Sequence, residues 1–229
     1  MNKPLAGKIA IVTDGHYGIG ALSAQTLADQ GADVIISHPA NAWNAQGIVT
    51  GLEARGVNAR AYAINCDRVS GIKILVSQVI ADFGQVDILV TNNVSFVLVD
   101  DERIYSAAAI DAITPAIRDG GRIIAIGKTT PAQPVNDLAA SNNNHATLAP
   151  LDELITHSAK SLHNRHVTVN RLQSNILGRK NLAASLANIP VLGDIAKGLS
   201  FLAGPESDFI TGTTFNFNDR NDHNALHAA

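Results

Sequence analysis

The sequence predicts an α/β fold in which a parallel sheet of about seven strands carries helices on both faces. Three observations predict it. Short apolar runs rich in Val and Ile alternate strictly with stretches of helical spacing, the order expected of repeated strand–helix–strand units. Those runs are apolar throughout rather than at every second residue, so both faces of their strands must be covered. Finally, 229 residues with 46% apolar and 16% charged side chains suit one sizeable core.

The elements follow in order. Ile9–Val12 (IAIV) is the first strand; after a turn at 13–20, ALSAQTLADQG repeats Leu22, Thr26 and Leu27 at helical spacing. Asp33–Ser37 (DVIIS) is the second strand, ended by His38-Pro39, and 42–55 is a helix stopped by Gly56. Residues 58–65 (NARAYAIN) alternate as a third strand and lead into Cys66-Asp67. A helix over 71–83 places Ile72, Leu75, Val76, Val79 and Ile80 on one face. Then come a buried strand at 86–93 (VDILVTNN), a helix at 104–117 and a strand at 121–127 (GRIIAIG). A helix at 151–162, a strand at 167–172, a helix at 195–202 and a strand at 213–217 complete the series. Residues 141–145 (SNNNH) read as a loop, and no repeat or linker divides 1–229. The core should therefore be 5–219, with a polar tail, RNDHNALHAA, behind it.

Composition excludes several functions. A net charge of −3 without a basic stripe argues against a nucleic-acid partner. Cys66 is the only cysteine, so neither a disulfide framework nor a thiolate metal cluster can form, and a reducing, cytoplasmic setting is expected. The start, MNKPLAGK, enters its strand at once, without the pattern of a secretory leader. No apolar run approaches the ~18 residues of a membrane span. His16, His38, His145, His157, His163, His166, His223 and His227 fall into no zinc pattern, so no metal is expected. His163 and His166 flank a helix end, where cations are favoured.

The turn TDGHYGIG at 13–20 sits between a buried strand and a helix. Glycines there let backbone approach a pyrophosphate, and the amides and dipole of the helix start attract the anion. This is the geometry of a dinucleotide site, and it makes Gly15, Gly18, Ile19 and Gly20 candidate cofactor contacts.

At this point the chain resembles the short-chain dehydrogenases/reductases, most of all the 3-oxoacyl-acyl-carrier-protein reductase type, over about 5–219. TDGHYGIG is similar to the family's Thr-Gly-x-x-x-Gly-Ile-Gly turn, and Cys66-Asp67 to the segment whose aspartate meets the adenine amino group. FGQVDILVTNN at 83–93 resembles the strand ending in Asn-Asn-Ala-Gly, which adds Asn92 to the candidates. GRIIAIG matches the strand before the catalytic serine, and V169-N170 with FITG at 209–212 match late landmarks. The resemblance implies a Rossmann-like doubly wound sheet, an NAD(P) cofactor and hydride transfer to a carbonyl. In that chemistry a tyrosine donates the proton, a lysine in Tyr-x-x-x-Lys lowers its pKa, and a serine polarises the substrate oxygen. It also implies a homodimer or homotetramer, formed through the helices at 104–117 and 151–162.

The chain departs from that pattern where the proton is handled. Counting back without a gap from V169-N170 sets NHATLA at 144–149 against Tyr-x-Ala-Ser-Lys-Ala, so Asn144 replaces the tyrosine and Leu148 the lysine. An amide is no general acid, and leucine lowers no neighbour's pKa. Lys128 occupies the serine position, and no asparagine stands at 100–102, where the family's structural one belongs. A slip of one residue would put His145 at the tyrosine but loses the matches at Ala146, Thr147 and Ala149. The cofactor site has changed as well. Asp14 replaces the first turn glycine and brings a carboxylate towards phosphate charge, unless it serves as a local cap. Ser37 and His38 after the second strand, with Tyr17 in the turn, encode neither NAD nor NADP preference. Ser174-Asn175 and Arg179 stand where the nicotinamide segment is expected. The chain is thus read as a family homologue without the serine–tyrosine–lysine relay, a non-catalytic subunit or binding protein that self-associates or pairs with an active relative. The alternatives are an NAD(P)H-dependent carbonyl reductase using His145 or Lys128 as its acid, and a non-redox enzyme reusing the cleft around Lys128, Asn144 and His145 for a small molecule.

Overall fold

The computed structural model describes residues 3–66, 69–92, 99–128, 151–174, 177 and 190–217, with backbone alone at 99–102 and 190. Seven strands, β1 (Ile9–Val12), β2 (Asp33–Ser37), β3 (Ala59–Tyr62), β4 (Val86–Asn92), β5 (Ile117–Lys128), β6 (Thr168–Ser174) and β7 (Thr214–Asn216), form one sheet. Its order is β3-β2-β1-β4-β5-β6-β7, and every pairing is parallel. Between the strands lie α1 (Gly18–Asp29), α2 (Ala45–Glu53), α3 (Val69–Phe83), α4 (Val99–Ile113), α5 (Leu151–Ser161) and α6 (Pro190–Ala203).

The strand period of two divides the core into two layers. Ala10, Val12, Val34, Ile36, Ile88, Val90, Ile124 and Ile126 meet α1, α2 and α6 on one face. Their neighbours Ile11, Ile35, Leu89, Ile123 and Ala125 meet α3, α4 and α5 on the other. The continuous apolar runs of the sequence are the result of serving both layers.

Several boundaries differ from the sequence reading, and one difference is more than fraying. The helix expected at 104–117 ends at Ile113, and Ile117 instead opens β5. Ile110, Ile113 and Ile117 all enter the same core layer, so helical spacing continued beyond the helix. The pairing then skips from Val86–Ile117 to Ile88–Arg122, and Arg118 to Gly120 bulge into solvent. At the other end of the chain, α6 starts at Pro190 rather than Ile195, with proline at the first helical position. Strand β3 is shorter than 58–65, and β6 runs on to Ser174.

Buried polar side chains tie the layers to the sheet. The Asp87 carboxylate accepts the Ile9 N–H at 2.9 Å and pairs with Lys8 at 3.2 Å, which fixes the start of β1 beside β4. Asn170 donates to the Ile210 carbonyl (2.8 Å) and accepts the Thr213 N–H (3.2 Å), while Gly212 N–H donates to the Val169 carbonyl. The two late sequence landmarks are one clamp that delivers the chain into β7.

β1 and β4 are sheet neighbours, and the chain order reverses between them. In such a sheet the crevice beyond the carboxyl ends of these strands receives the ligand.

Candidate functional site

The turn after β1 hugs β2. Thr13 N–H donates to the Val90 carbonyl, and its hydroxyl accepts the Asn92 N–H at 2.8 Å, so the end of β1 is bonded to the end of β4. Gly15 N–H donates to the Ser37 carbonyl, and a Cβ at Gly15 would lie 2.7 Å from the Ile36 Cβ. At Gly20 a Cβ would run into the Asp14 carbonyl and approach the Asn92 amide nitrogen to 2.9 Å. Gly15 needs glycine because the branched Ile36 side chain stands against it, and Gly20 because the Asp14 backbone does.

Gly18 is different. Its φ is +56°, and none of the described residues lies within 4 Å of where a Cβ would stand. It is the first residue of α1, whose N-cap Tyr17 makes no side-chain cap and whose first turn carries no acidic residue. The amides of a helix's first turn have no acceptor inside the helix. The result is an uncapped N-terminus behind open space, which fits the diphosphate of an adenine dinucleotide. Ile19 packs its side chain into the core and can offer a ligand only its backbone.

Asp14 has taken a glycine's conformation, φ 50°, and is 7% exposed. Its N–H donates to the Ser37 hydroxyl at 3.1 Å. It is not the helix cap, because Tyr17 holds that position. His16 and His38 face each other across the mouth of the turn, ring centroids 6.3 Å apart, with Tyr17 4.5 Å from His16. Burial, and then the neighbouring His38, hold the His16 pKa below its ordinary value.

The far half of the carboxyl edge is built from charged side chains. Lys128 is half-buried as the last residue of β5 rather than a solvated loop lysine, and it lies opposite Ser174 of β6. Arg171 is only 2% exposed. It donates to the Lys128 carbonyl at 3.0 Å and pairs with Asp152 of α5 at 3.3 Å, while Thr214 donates to the same carboxylate at 2.6 Å. Gln173 bonds Asn216 alongside. One guanidinium thus joins β5, β6 and α5 at the edge where the relay is expected, and the Asp152 carboxylate extends the link to β7. The sequence reading passed over Arg171; a lone charge inside the apolar run VTVNRL was the signal.

Gly15, Gly18, Gly20 and Asn92 converge at the β1–β4 crevice, and Lys128 ends the strand beyond β4. Asp67, Asn144, His145, Leu148, Asn175 and Arg179 lie outside the described residues. Among the described residues no metal-ligating cluster occurs, and no helix is long and apolar enough to cross a membrane.

Comparison with known proteins agrees with the architecture. The family model "short chain dehydrogenase" matches residues 8–182. The 3-oxoacyl-acyl-carrier-protein reductase of Vibrio harveyi is 30% identical, over 93% of this chain and 97% of its own length. Hydroxynaphthalene reductase of Aspergillus fumigatus is 41% identical over a shorter stretch, 39% of this chain and 33% of its own. Among solved structures, a Burkholderia cenocepacia short-chain dehydrogenase in complex with NADP superposes with a TM-score of 0.73 at 28% identity, covering 94% of this chain and 98% of that one. A blue fluorescent protein from a metagenomic library, in complex with NADPH, gives 0.71 at 27% identity, covering 94% and 98%. With its parallel seven-stranded sheet and glycine turn, the chain belongs to the short-chain dehydrogenase family of oxidoreductases.

Proposed function

We propose that this chain is a dinucleotide-binding member of the family that has given up the tyrosine–lysine proton relay and serves as a non-catalytic subunit or binding protein. The observation that carries the reading is the unbroken run from α5 through the His163–Arg165 turn to β6, continuous from Leu151 to V169-N170. Family spacing counted back from there reaches Asn144 and Leu148, with Lys128 in place of serine. None of these supplies the tyrosine's acid function. The uncapped start of α1 and the open space at Gly18 support the dinucleotide half of the proposal. When bound, NAD(P) would supply hydride; this chain's own residues would hold its diphosphate on the amides of α1 and its adenosine near the end of β2.

Association through α4 and α5 completes the reading. An open groove of about 620 Å³ beside these helices, lined by Arg103, Asp152, Glu153, His157 and Lys160, offers both charges to a second copy or an active relative.

The second reading, carbonyl reduction with His145 or Lys128 as the acid, is favoured by the reductase names of the relatives. Equilibrium titration with NADH and NADPH, paired with an acetoacetyl-thioester assay, separates the two. Saturable binding without cofactor consumption is expected. Turnover that disappears in either His145→Ala or Lys128→Ala would establish the reductase, and absence of any binding would remove the dinucleotide half.

A further inference from the structure

We propose that the amino-terminal edge of the sheet carries a binding site for a small carboxylate with an apolar body, its head held by Arg122 and Lys8. The site is separate from the dinucleotide crevice and does not depend on it.

The fold treats two buried arginines of neighbouring strands differently. On β6, Arg171 has a carboxylate at 3.3 Å and a strand carbonyl at 3.0 Å. On β5, Arg122 is 8% exposed and has no such counterion. One of its terminal nitrogens donates to the Gly120 and Gly121 carbonyls at 2.7 and 3.2 Å. The other reaches the Gly204 carbonyl at 3.5 Å and the Asp208 carboxylate at 3.8 Å, and that carboxylate is 70% exposed. Nε is buried without a partner. A guanidinium taken out of water needs a close anion, and among the described residues this one lacks it. Burial accordingly holds its pKa below the ordinary arginine value, against the smaller opposing pull of Asp208.

A cavity of about 140 Å³ opens on this side chain. Its walls come from Pro4 and Leu5, the starts of β1 and β4, and Pro205 in the turn after α6. Lys8 and Asp87 line it together with Arg122. Asp87 is already engaged, since it accepts the Ile9 N–H, pairs with Lys8 at 3.2 Å and stands 3.8 Å from Arg118. One buried carboxylate therefore serves Lys8 and Arg118, and the charge of Arg122 is left over. A larger cavity of about 360 Å³ shares Pro4 and Pro205 with the first and reaches Phe201, whose ring is 39% exposed. Lys197 and Glu206 bring one charge of each sign to it, and Lys197 is paired with Asp194 at 3.2 Å.

These features define the ligand. A singly charged carboxylate matches the one guanidinium that has no close anion, and its two oxygens suit that planar fork of donors. An apolar body then runs past Pro4 and Pro205 towards Phe201, where leaving water adds affinity. Lys8 and Asp87 stand at the amino ends of β1 and β4, whereas Gly18 and Lys128 stand at the opposite edge. The ligand binds here as an effector and not as a substrate.

3-Phenylpropionate, its uncharged amide and acetate are the probes, titrated into the full chain and followed by ligand-observed NMR. Saturable binding of 3-phenylpropionate is expected, about tenfold tighter than the amide, as charge-assisted hydrogen bonding implies. Acetate should bind more weakly for want of the ring, and Phe201→Ala should bring 3-phenylpropionate down to the level of acetate. Arg122→Gln should abolish the preference for the acid over the amide. Lys8→Gln, at a half-exposed side chain that the fold does not need, should weaken the acid about threefold. The acid should also raise the urea midpoint of the unaltered chain and leave that of Arg122→Gln where it was, which a purely structural arginine would not explain. Equal affinity for acid and amide, no saturable binding, or binding unchanged in Arg122→Gln and Lys8→Gln would overturn the site. None of these readouts involves NADH, so the dinucleotide reading stands or falls separately.

Discussion

The two halves of the sheet's carboxyl edge are made of different material. Around β1 and α1 the site is backbone: Gly15 and Gly20 are required by close packing, and Gly18 by a left-handed φ. At the ends of β5 and β6 it is side chain: Lys128, Arg171, Asp152 and Thr214. A backbone feature that also holds the fold together cannot be exchanged without cost to stability. Side-chain chemistry can be replaced while the sheet stays as it is. On the function proposed above, the chain keeps the first kind of feature and has rewritten the second.

Substitutions can break that comparison, beginning with the largest effect. Gly20→Ala should cost about 3 kcal/mol of unfolding free energy, because the nearest colliding group is the Asp14 backbone carbonyl, which cannot turn aside. Urea denaturation measures it, and a change under 1 kcal/mol (about the floor for overpacking) would mean that the turn is slack. Next comes Arg171→Ala at about 2 kcal/mol, since the buried guanidinium holds a carbonyl and a carboxylate that is 58% exposed and can return to water. Gly18→Ala should cost about 1 kcal/mol through φ alone. It should nevertheless weaken NADH binding more than Gly20→Ala weakens it per unit of stability lost, because only Gly18 faces open space.

Asp14→Gly should leave stability nearly unchanged, as relief of the left-handed strain offsets the added chain entropy, each about 1 kcal/mol. Dinucleotide affinity should rise about fivefold as roughly 1 kcal/mol of repulsion is removed; unchanged affinity in a titration would clear the carboxylate of blame. The smallest effect is acid sensitivity from His16. Its folded pKa is lowered, so the unfolded chain binds more protons in the window below the ordinary histidine value. Stability should therefore fall as pH drops from about 7 to about 5.5, and His16→Asn should flatten part of that fall in urea midpoints.

Much of the fold was legible because two core layers force every strand to be apolar on both faces, and Ile9–Val12, Asp33–Ser37 and the strand from Val86 were read almost to the residue. The failure at Ile117 has the same cause. A residue that enters the shared core layer from a strand continues the spacing of the helix before it. In the site, the glycines were legible as a pattern, yet their separate reasons were not, since packing against Ile36 and Asn92 involves elements distant in sequence. Arg171 escaped because its partners come from β5 and α5, and the Asp152 carboxylate is shared with Thr214 of β7.

By itself the sequence determined the alternating architecture and the glycine turn at the first helix, because each of these is a local pattern. Only the tertiary structure decided that Gly18 alone among the turn glycines faces open space, that His16 and His38 meet, and that a buried arginine closes the far edge. Those facts depend on which strands lie side by side, and the strand order β2-β1-β4-β5-β6 brings together residues separated by tens of positions in the chain.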